Sequence, residues 1–480
     1  MLNSEVLNEL KTIVGAEDVL TAPEHLLTHA YDGTPLLRRK PEAVVIPDNT
    51  EEIVAIMKLA NEADFKVVPR GSGTGLSGGS IPTENSIVLL LTRLNRLLEV
   101  DAANLTALAQ AGVITGHLHA AVEAQGLFYP PDPGSKDIST LGGNVAENSG
   151  GLRGLKYGVT KDYVLGLEVI LPTGEVLWTG GKSVKDVAGY DLKHLFIGSE
   201  GTLGIFTQIL VKLIPKPETK RTMLAYFDSV TDAGEAVSAL IAAHVIPATL
   251  EFLDHTTIRC VEDFAHIGLP TDIAALLLIE VDGRKALVEE DAQRVMEVCR
   301  QHRAREFKIA ATEEEGTQMA EARRVALAAL ARVRPTTILE DATVPRSEVP
   351  RMLAVIEETA RKYQVQIGTF GHAGDGNLHP TFLTDERDEE EIARVHKAFD
   401  DIFAGAIALG GTITGEHGVG LAKRRFLPQQ TGEVGIRLMQ QLKGVLDPKN
   451  VLNPGKVIEP GTRLDELWEV RGGAKVLPFV

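Results

Sequence analysis

The sequence predicts an α+β protein built of a glycine-rich domain, an α/β cap domain and a C-terminal helical segment that returns to the first. Three observations predict it. Half of the glycines, 23 of 46, fall between Gly71 and Gly204, among short apolar runs of strand length. Strand-like and helix-like stretches then alternate from Met223 to Ala310. Beyond them lie two compact groups of imidazoles and carboxylates, Gly371-His-Ala-Gly-Asp-Gly-Asn-Leu-His379 and Gly415-Glu-His-Gly-Val-Gly420. At 480 residues the chain is longer than one hydrophobic core usually serves, so several domains are expected. The expected divisions are an N-terminal helical segment 1–36, a glycine-rich domain 37–217, an α/β domain 218–425 carrying both polar clusters, and a segment 426–480 that returns to the glycine-rich domain.

Composition narrows the class. The apolar fraction of 44% and charged fraction of 24% are those of a soluble globular protein. Aromatic residues make up only 5%, which argues against a base-stacking reader of nucleic acid. A net charge of -17 repels phosphate backbones and anionic membranes. Cys260 and Cys299 are too few for a disulfide framework or a thiolate-bound iron–sulfur cluster, and a reducing cytoplasm fits best. The N-terminus reads as a short acidic amphipathic helix, not a signal peptide, and the longest apolar runs are far short of a membrane span.

In order along the chain, Glu51 to Ala60 repeats apolar residues at helical spacing behind a capping segment. Phe65-Lys-Val-Val68 reads as a strand opening into Pro69-Arg-Gly-Ser-Gly-Thr-Gly-Leu-Ser-Gly-Gly-Ser80, and Ser86 to Leu91 is the next strand. Gly73-Thr-Gly-Leu-Ser-Gly78 matches the dinucleotide pattern G-x-G-x-x-G, but that motif must open a helix and here a strand follows. Gly181-Lys-Ser183 lacks the leading glycine of a P-loop, because position 176 is Val176. The stretch is therefore a run of backbone amides after Arg70, which suits an anion as well as it suits a flexible surface loop. Pro130 to Ser135, leading through Thr140 to Gly151, is a second glycine-rich loop, and Gly198 to Ile205 is a third. Three such loops imply an extended ligand.

PRGSGTGLSGG, PDPGS…TLGGNVAENSGG and GSEGTLGI together resemble the flavin-binding segments of the vanillyl-alcohol oxidase/p-cresol methylhydroxylase-type (PCMH-type) flavoproteins, with the likeness running from about residue 20 to 460. The resemblance implies a two-lobed PCMH-type FAD-binding domain. It places Arg70, Gly71, Ser72, Gly73, Thr74, Gly75, Ser77 and Gly78 around the FAD phosphates. Pro133, Ser135, Thr140, Gly143, Asn144, Asn148, Glu200, Gly201 and Ile205 would line the ribityl chain and isoalloxazine. Neither later loop carries a His or Cys where relatives attach flavin covalently, so non-covalent FAD is expected.

After Pro215 and Pro217 the pattern alternates. Met223–Phe227, Ala248–Leu253, Ala274–Val281 and Phe307–Ala310 read as strands, and Ala233–His244 and Arg284–His302 as helices. This pattern predicts a ferredoxin-like βαββαβ cap. The single histidines His244, His255, His266 and His302 read as surface or capping residues. On the helix around Met319, adjacent Arg323 and Arg324 read as a solvated face from the residues alone.

Arg346 to Tyr363 reads as a helix, and Gln364 to Gly368 as a strand leading into the first polar cluster. His372 and His379 are seven apart with glycines between, so an irregular loop or a turning strand must bring them together. Asp375 and Asn377 are candidates to orient the imidazoles, as metal-bound histidines require. After an acidic helix from Glu389 to Ala406, the second cluster supplies Glu416 and His417. Two histidines and a carboxylate suit a divalent metal with open positions. His417, with an ordinary pKa of about 6.5, suits proton transfer near neutrality.

GHAGDGNLH and GEHGVG resemble the signatures of the branch containing the glycolate oxidase FAD subunit, D-lactate dehydrogenase and D-2-hydroxyglutarate dehydrogenase. That resemblance implies metal ligands His372, His379 and Glu416, holding zinc first, with iron or manganese as alternatives. It implies His417 as the base that abstracts the hydroxyl proton, and Arg323, with Arg324 second, on the substrate carboxylate. Thr381 stands where some hydroxyglutarate enzymes carry asparagine, which weakens that assignment. Leu446 to Lys456 matches the family's C-terminal return to the flavin, with Asn453 and Lys456 as contacts. The implied activity is oxidation of a small D-2-hydroxy acid, D-lactate or glycolate, to the 2-oxo acid. Electrons would pass to an iron–sulfur subunit, an electron-transferring flavoprotein, cytochrome, quinone or oxygen. A second copy of the chain is a further expected partner. The alternatives are a D-2-hydroxyglutarate dehydrogenase, a flavin-dependent alkyl transferase of the same fold, and a non-catalytic FAD-binding subunit.

Overall fold

The computed structural model describes residues 2–458, in which the chain divides into two compact units. The first collects Met1–Ser149, Val159–Lys216 and the stretch from Glu416 onward; the second collects Gly150–Gly158 and Pro217–Gly415. Of the C-terminal segment expected at 426–480, residues 459–480 lie outside the described residues.

In the first unit, a four-stranded sheet runs Val19–Leu20, Ala43–Val45, Ser86–Leu90, Lys66–Arg70, its last three strands parallel. The helix Thr50–Ala63 supplies the crossover. Asn49 caps it by accepting from the Glu52 N–H at 2.9 Å, and Asp64 ends it in the left-handed region. Its buried Ile53, Ile56, Met57 and Ala60 join Val45, Val67, Ile87 and Leu89 in one core. Fully burying a side chain of this size contributes about 1.5–3 kcal/mol. The chain returns to this sheet at its far end: Val67 N–H donates to Val451 O, and Asn453 N–H donates to Val67 O, both at 2.8 Å.

A second, five-stranded antiparallel sheet is ordered Leu97–Asp101, Thr106–Gln110, Ile205–Lys212, Val164–Ile170, Val176–Gly180. The central strand buries Ile205, Phe206, Ile209, Leu210 and Val211. One of the expected glycine-rich loops is in part a helix, Leu141–Glu147. Thr140 starts it by accepting from the Gly143 N–H at 3.2 Å, buried Leu141 and Val145 hold it in place, and left-handed Asn148 ends it.

The second unit is built on one eight-stranded sheet. Its path is Glu306–Ile309, Thr219–Phe227, Ala275–Gly283, Thr249–Asp254, Gln366–His372, Asn377–Thr384, Thr336–Leu339, with Ala342–Thr343 pairing on Asn377–Thr384. The first four strands in chain order stand fourth, first, third, second, as a ferredoxin-like layer requires. The sheet does not stop there, because the strands that carry His372 and His379 extend it. The connection between Thr249–Asp254 and Ala275–Gly283 holds a helix, His255–Ala265, that alternation alone did not indicate. Asp254 caps it through the Thr257 N–H at 2.8 Å, and Ile258 and Val261 are buried beneath it.

Candidate active site

The first polar cluster is a β-hairpin. Strand Gln366–His372 turns through Ala373–Gly376 into strand Asn377–Thr384, pairing His372 with Asn377 and Phe370 with His379. His372 and His379 thus sit diagonally across the ladder on one face, their rings edge to face with centroids 5.2 Å apart. Both residues are buried. The turn needs glycine at Gly376, where φ is +86° and a Cβ would lie 2.0 Å from Val344 O. Thr381, the residue that departs from the hydroxyglutarate pattern, is buried on the same strand and donates to His379 O.

The carboxylate on His372 is Glu251, from strand Thr249–Asp254. Its Oε1 lies 2.7 Å from His372 Nδ1, and its Oε2 accepts from Arg323 Nε. Burial alone would raise the Glu251 carboxyl, but His372 and Arg323 outweigh it and hold the group below its usual range. Arg323 also stacks its guanidinium 4.6 Å above the Phe370 ring. With Nε committed to Glu251, the two terminal nitrogens of Arg323 form the edge that can meet a carboxylate in bidentate fashion. Arg324 is exposed and faces Glu321 at 3.5 Å. Helix Glu313–Arg324 therefore presents one arginine to the network and the other to solvent.

Asp341 anchors the second cluster. Its Oδ2 accepts from Thr414 Oγ1 at 2.7 Å and from the Gly415 N–H at 2.9 Å, and Thr343 exchanges backbone hydrogen bonds with Thr412. Gly415 is the last residue of the second unit, and Glu416, one peptide bond on, is the first residue of the chain's return to the first. His417 Nε2 stands 3.9 Å from Glu416 Oε1.

The residues expected around a flavin all lie in the first unit. Gly71, Ser72, Gly73, Thr74, Gly75, Ser77 and Gly78 form irregular backbone between strands Lys66–Arg70 and Ser86–Leu90. Arg70 is buried and donates to Tyr31 O at 2.7 Å, while Ser72 donates to Ile138 O. Pro133 O and Ser135 O accept turn hydrogen bonds from Lys136 and Ile138. Asn144 donates to Thr115 Oγ1 at 2.6 Å, and Asn148 accepts from the Lys161 N–H. Glu200 and Gly201 are both left-handed in the turn before Ile205. Asn453 gives both amide protons to carbonyls, Gly79 O at 2.9 Å and Glu200 O at 2.8 Å, and Lys456 donates to Ile81 O.

Residues 216–457 match the C-terminal domain of the FAD linked oxidases, and residues 41–180 match an FAD binding domain. The glycolate oxidase subunit GlcD of Bacillus subtilis is 54% identical over 450 residues, covering 94% of this chain and 96% of that protein. The chain belongs to the FAD-linked oxidases. A D-lactate dehydrogenase of Archaeoglobus fulgidus is 37% identical to it over 429 residues, 88% of this chain and 93% of that one. Among solved structures, p-cresol methylhydroxylase superposes with a TM-score of 0.78 at 18% identity, covering 95% of this chain and 96% of that one. Alkyldihydroxyacetonephosphate synthase follows with 0.75 at 21% identity, covering 95% and 86%. These two are likenesses of fold.

As an FAD-linked oxidase the protein is an oxidoreductase that binds FAD, and its glycine-rich segments fit such a ligand. The hydroxyls of Ser77, Ser139 and Ser199, one from each segment, are buried without a hydrogen-bond partner among the described residues. Orphaned donors of this kind cost free energy unless a ligand satisfies them. The donor set of the hairpin likewise suits a divalent metal, because a carboxylate on Nδ1 orients an imidazole to coordinate through Nε2. Two groups of this FAD-linked oxidase escape a reading of motifs: Glu251, a lone acid within an apolar strand, and Asp341, which follows the strand Thr336–Leu339. The only signal for Glu251 is a charge where strand alternation expects a core residue.

No helix among the described residues is long and apolar enough to cross a membrane.

Proposed function

We propose that this FAD-linked oxidase removes two hydrogens from a small D-2-hydroxy acid, D-lactate or glycolate, to give the 2-oxo acid. The observation that carries the reading is the Glu251 bridge, which fixes an imidazole and an arginine in one buried network. Such a pairing suits a substrate with a carboxylate beside a hydroxyl. The names of its relatives, a glycolate oxidase subunit and D-lactate dehydrogenases, support the same substrate class.

Bound FAD supplies the two-electron acceptor for the substrate's α-hydrogen. A divalent metal, zinc before iron or manganese, would be held by His372, His379 and Glu416 and would supply a Lewis acid for the hydroxyl. The chain's own residues do the rest. Arg323 grips the carboxylate through its two terminal nitrogens and so fixes which hydrogen is presented. His417 takes the hydroxyl proton, and Glu251 keeps His372 in one tautomer and Arg323 in one rotamer. Asp341, by holding Gly415, keeps Glu416 within one residue of a fixed point. Reducing equivalents leave to a separate acceptor. The relative named as a glycolate oxidase subunit supports a partner protein in that role, such as an iron–sulfur subunit, an electron-transferring flavoprotein or a cytochrome.

The test is anaerobic bleaching of flavin absorbance across a panel of D- and L-2-hydroxy acids, with and without a chelator. Reduction by D-lactate or glycolate that a chelator suppresses and metal restores is expected. Bleaching by D-2-hydroxyglutarate alone would move the assignment to that enzyme. Indifference to every hydroxy acid would leave the fold with another chemistry, such as alkyl transfer, or with none.

A further inference from the structure

We propose that Glu147 and Glu200 share one proton and act as a positioning pair, a brace beneath the Gly418–Gly420 turn that follows His417. The two acids come from different segments of the first unit, and backbone holds them together. Glu200 N–H donates to Ala146 O at 2.8 Å, and Gly198 N–H donates to Val145 O at 3.0 Å. Their side chains converge on Gly418. A Cβ there would lie 2.3 Å from Glu147 Oε2 and 2.9 Å from Glu200 Oε1. Glu200 in turn accepts from Val419 N–H and Gly420 N–H, both at 2.7 Å. The turn is thus pinned by one carboxyl and closed over by the other, with glycine as the only residue that fits between.

The hydrogen-bond inventory calls for the proton. Glu147 is half-buried as a residue, but its Oε2 is shielded from solvent and receives no donor from the described residues. Two carboxylates converging on one glycine, away from water, cannot both ionise without strong repulsion. A shared proton removes the repulsion and gives Glu147 the donor it lacks. Burial raises Glu147 well above the usual carboxyl range, with Glu200 and Asp32 adding to it. Burial also raises Glu200, to about 7, against the two turn N–H groups, Lys423 and Lys456. Further charged groups around the pair are Asp32, which accepts from Thr34 N–H and faces Arg70, and Arg424 and Arg39, which both face Lys456. Lys456 is itself lowered to about 7 by burial, so it is a weak counter-charge in the alkaline range.

The brace acts on His417 through the three residues that follow it, and this role rests on the function proposed above. The shared proton does not, so the two are tested apart. A carboxyl raised in the folded state keeps its proton where the unfolded chain has lost it. Stability therefore falls as pH rises from the unfolded value, about 4.3, through the folded one. Glu147→Gln keeps a donor for Glu200 at every pH, so the holoprotein's loss of Tm between pH 6 and 9 should shrink by at least half. Glu147→Leu, which leaves Glu200 alone, should lose flavin and become sensitive to protease at the turn. In infrared titration the wild-type holoprotein should show a protonated-carboxyl stretch at pH 7 that disappears in Glu147→Gln. Parallel Tm profiles for wild type and Glu147→Gln, or a carboxyl band untouched by the substitution, would overturn the shared proton. If Glu147→Gln does not fold, the wild-type spectrum decides, and the lack of any such band at pH 7 overturns the proposal. If the band behaves as expected but the pH dependence of substrate-driven flavin reduction is the same in Glu147→Gln, the brace has no hold on His417.

Discussion

Glu251 shows how much of the site depends on a residue that no motif marks. It is fully buried, and it satisfies His372 on one oxygen and Arg323 on the other. Removing one member of a buried charged network leaves the others desolvated and uncompensated, at about 3–5 kcal/mol. Glu251→Ala should therefore lower the unfolding free energy in denaturant by about that much, and the variant should retain less metal than wild type. A loss under about 1 kcal/mol would mean that water replaces Glu251 and that the network is not closed. His372 and His379 stood out in the sequence because they sit in one dense polar cluster, whereas Arg323 read as part of a solvated face and was singled out only by the resemblance. Glu251 did not stand out, because its partner His372 is 121 residues away in the chain, and proximity across that distance is a product of the sheet.

At the scale of elements, local signals held where a cap and a periodic face coincided. Helix Thr50–Ala63 has both, whereas helix Val349–Tyr363 has a periodic buried face and a proline in its first turn but no side-chain cap. Two elements were misread or unseen for physical reasons. Leu141–Glu147 carries two glycines and reads as loop, yet a threonine cap and buried Leu141 and Val145 make it helical. His255–Ala265 opens with β-branched threonines, and its helix is decided by the Asp254 cap and by packing of Ile258 and Val261. The expected four-stranded cap proved to be part of a larger sheet, because strand pairing between Thr249–Asp254 and Gln366–His372 leaves no mark in local sequence. The C-terminal return has its own lock. Lys443, on helix Leu427–Leu446, is buried and donates to Asp447 at 2.6 Å, Leu452 O at 2.7 Å and Thr202 O at 2.8 Å. Asp447 accepts from Val451 and Leu452 N–H groups. Lys443→Met keeps the bulk but strands Asp447, so a loss of about 3–5 kcal/mol is expected. The segment after Asp447 should then be cut first in limited proteolysis; a cleavage pattern like that of wild type would show that the lock is dispensable.

For the whole molecule, the decisive feature is that the first unit is assembled from three separated stretches of chain. The N–H and C=O of Val67, on a strand of its parallel sheet, are bonded by Val451 and Asn453 of the returning chain, and Asn453 also ties Gly79 to Glu200. A chain ended after Gly415 should therefore fail to retain FAD on gel filtration, whereas the full chain retains it. Retention by the shortened chain would show that the glycine-rich stretches form the cradle unaided. Glycine density and the polar clusters are local properties and so were readable in the sequence; FAD itself was read from the resemblance that those segments carry. The order in which the chain leaves the first unit and returns to it was not readable, because it is written in contacts several hundred residues apart. The central claim remains that His417 takes the proton while a hydroxy acid is oxidised. Single-turnover flavin reduction by D-lactate or glycolate, compared between wild type and His417→Asn at matched flavin content, tests it most directly. The account predicts a fall of about 10²–10⁴-fold, the usual worth of a general base, with FAD still bound. An unchanged rate would contradict it.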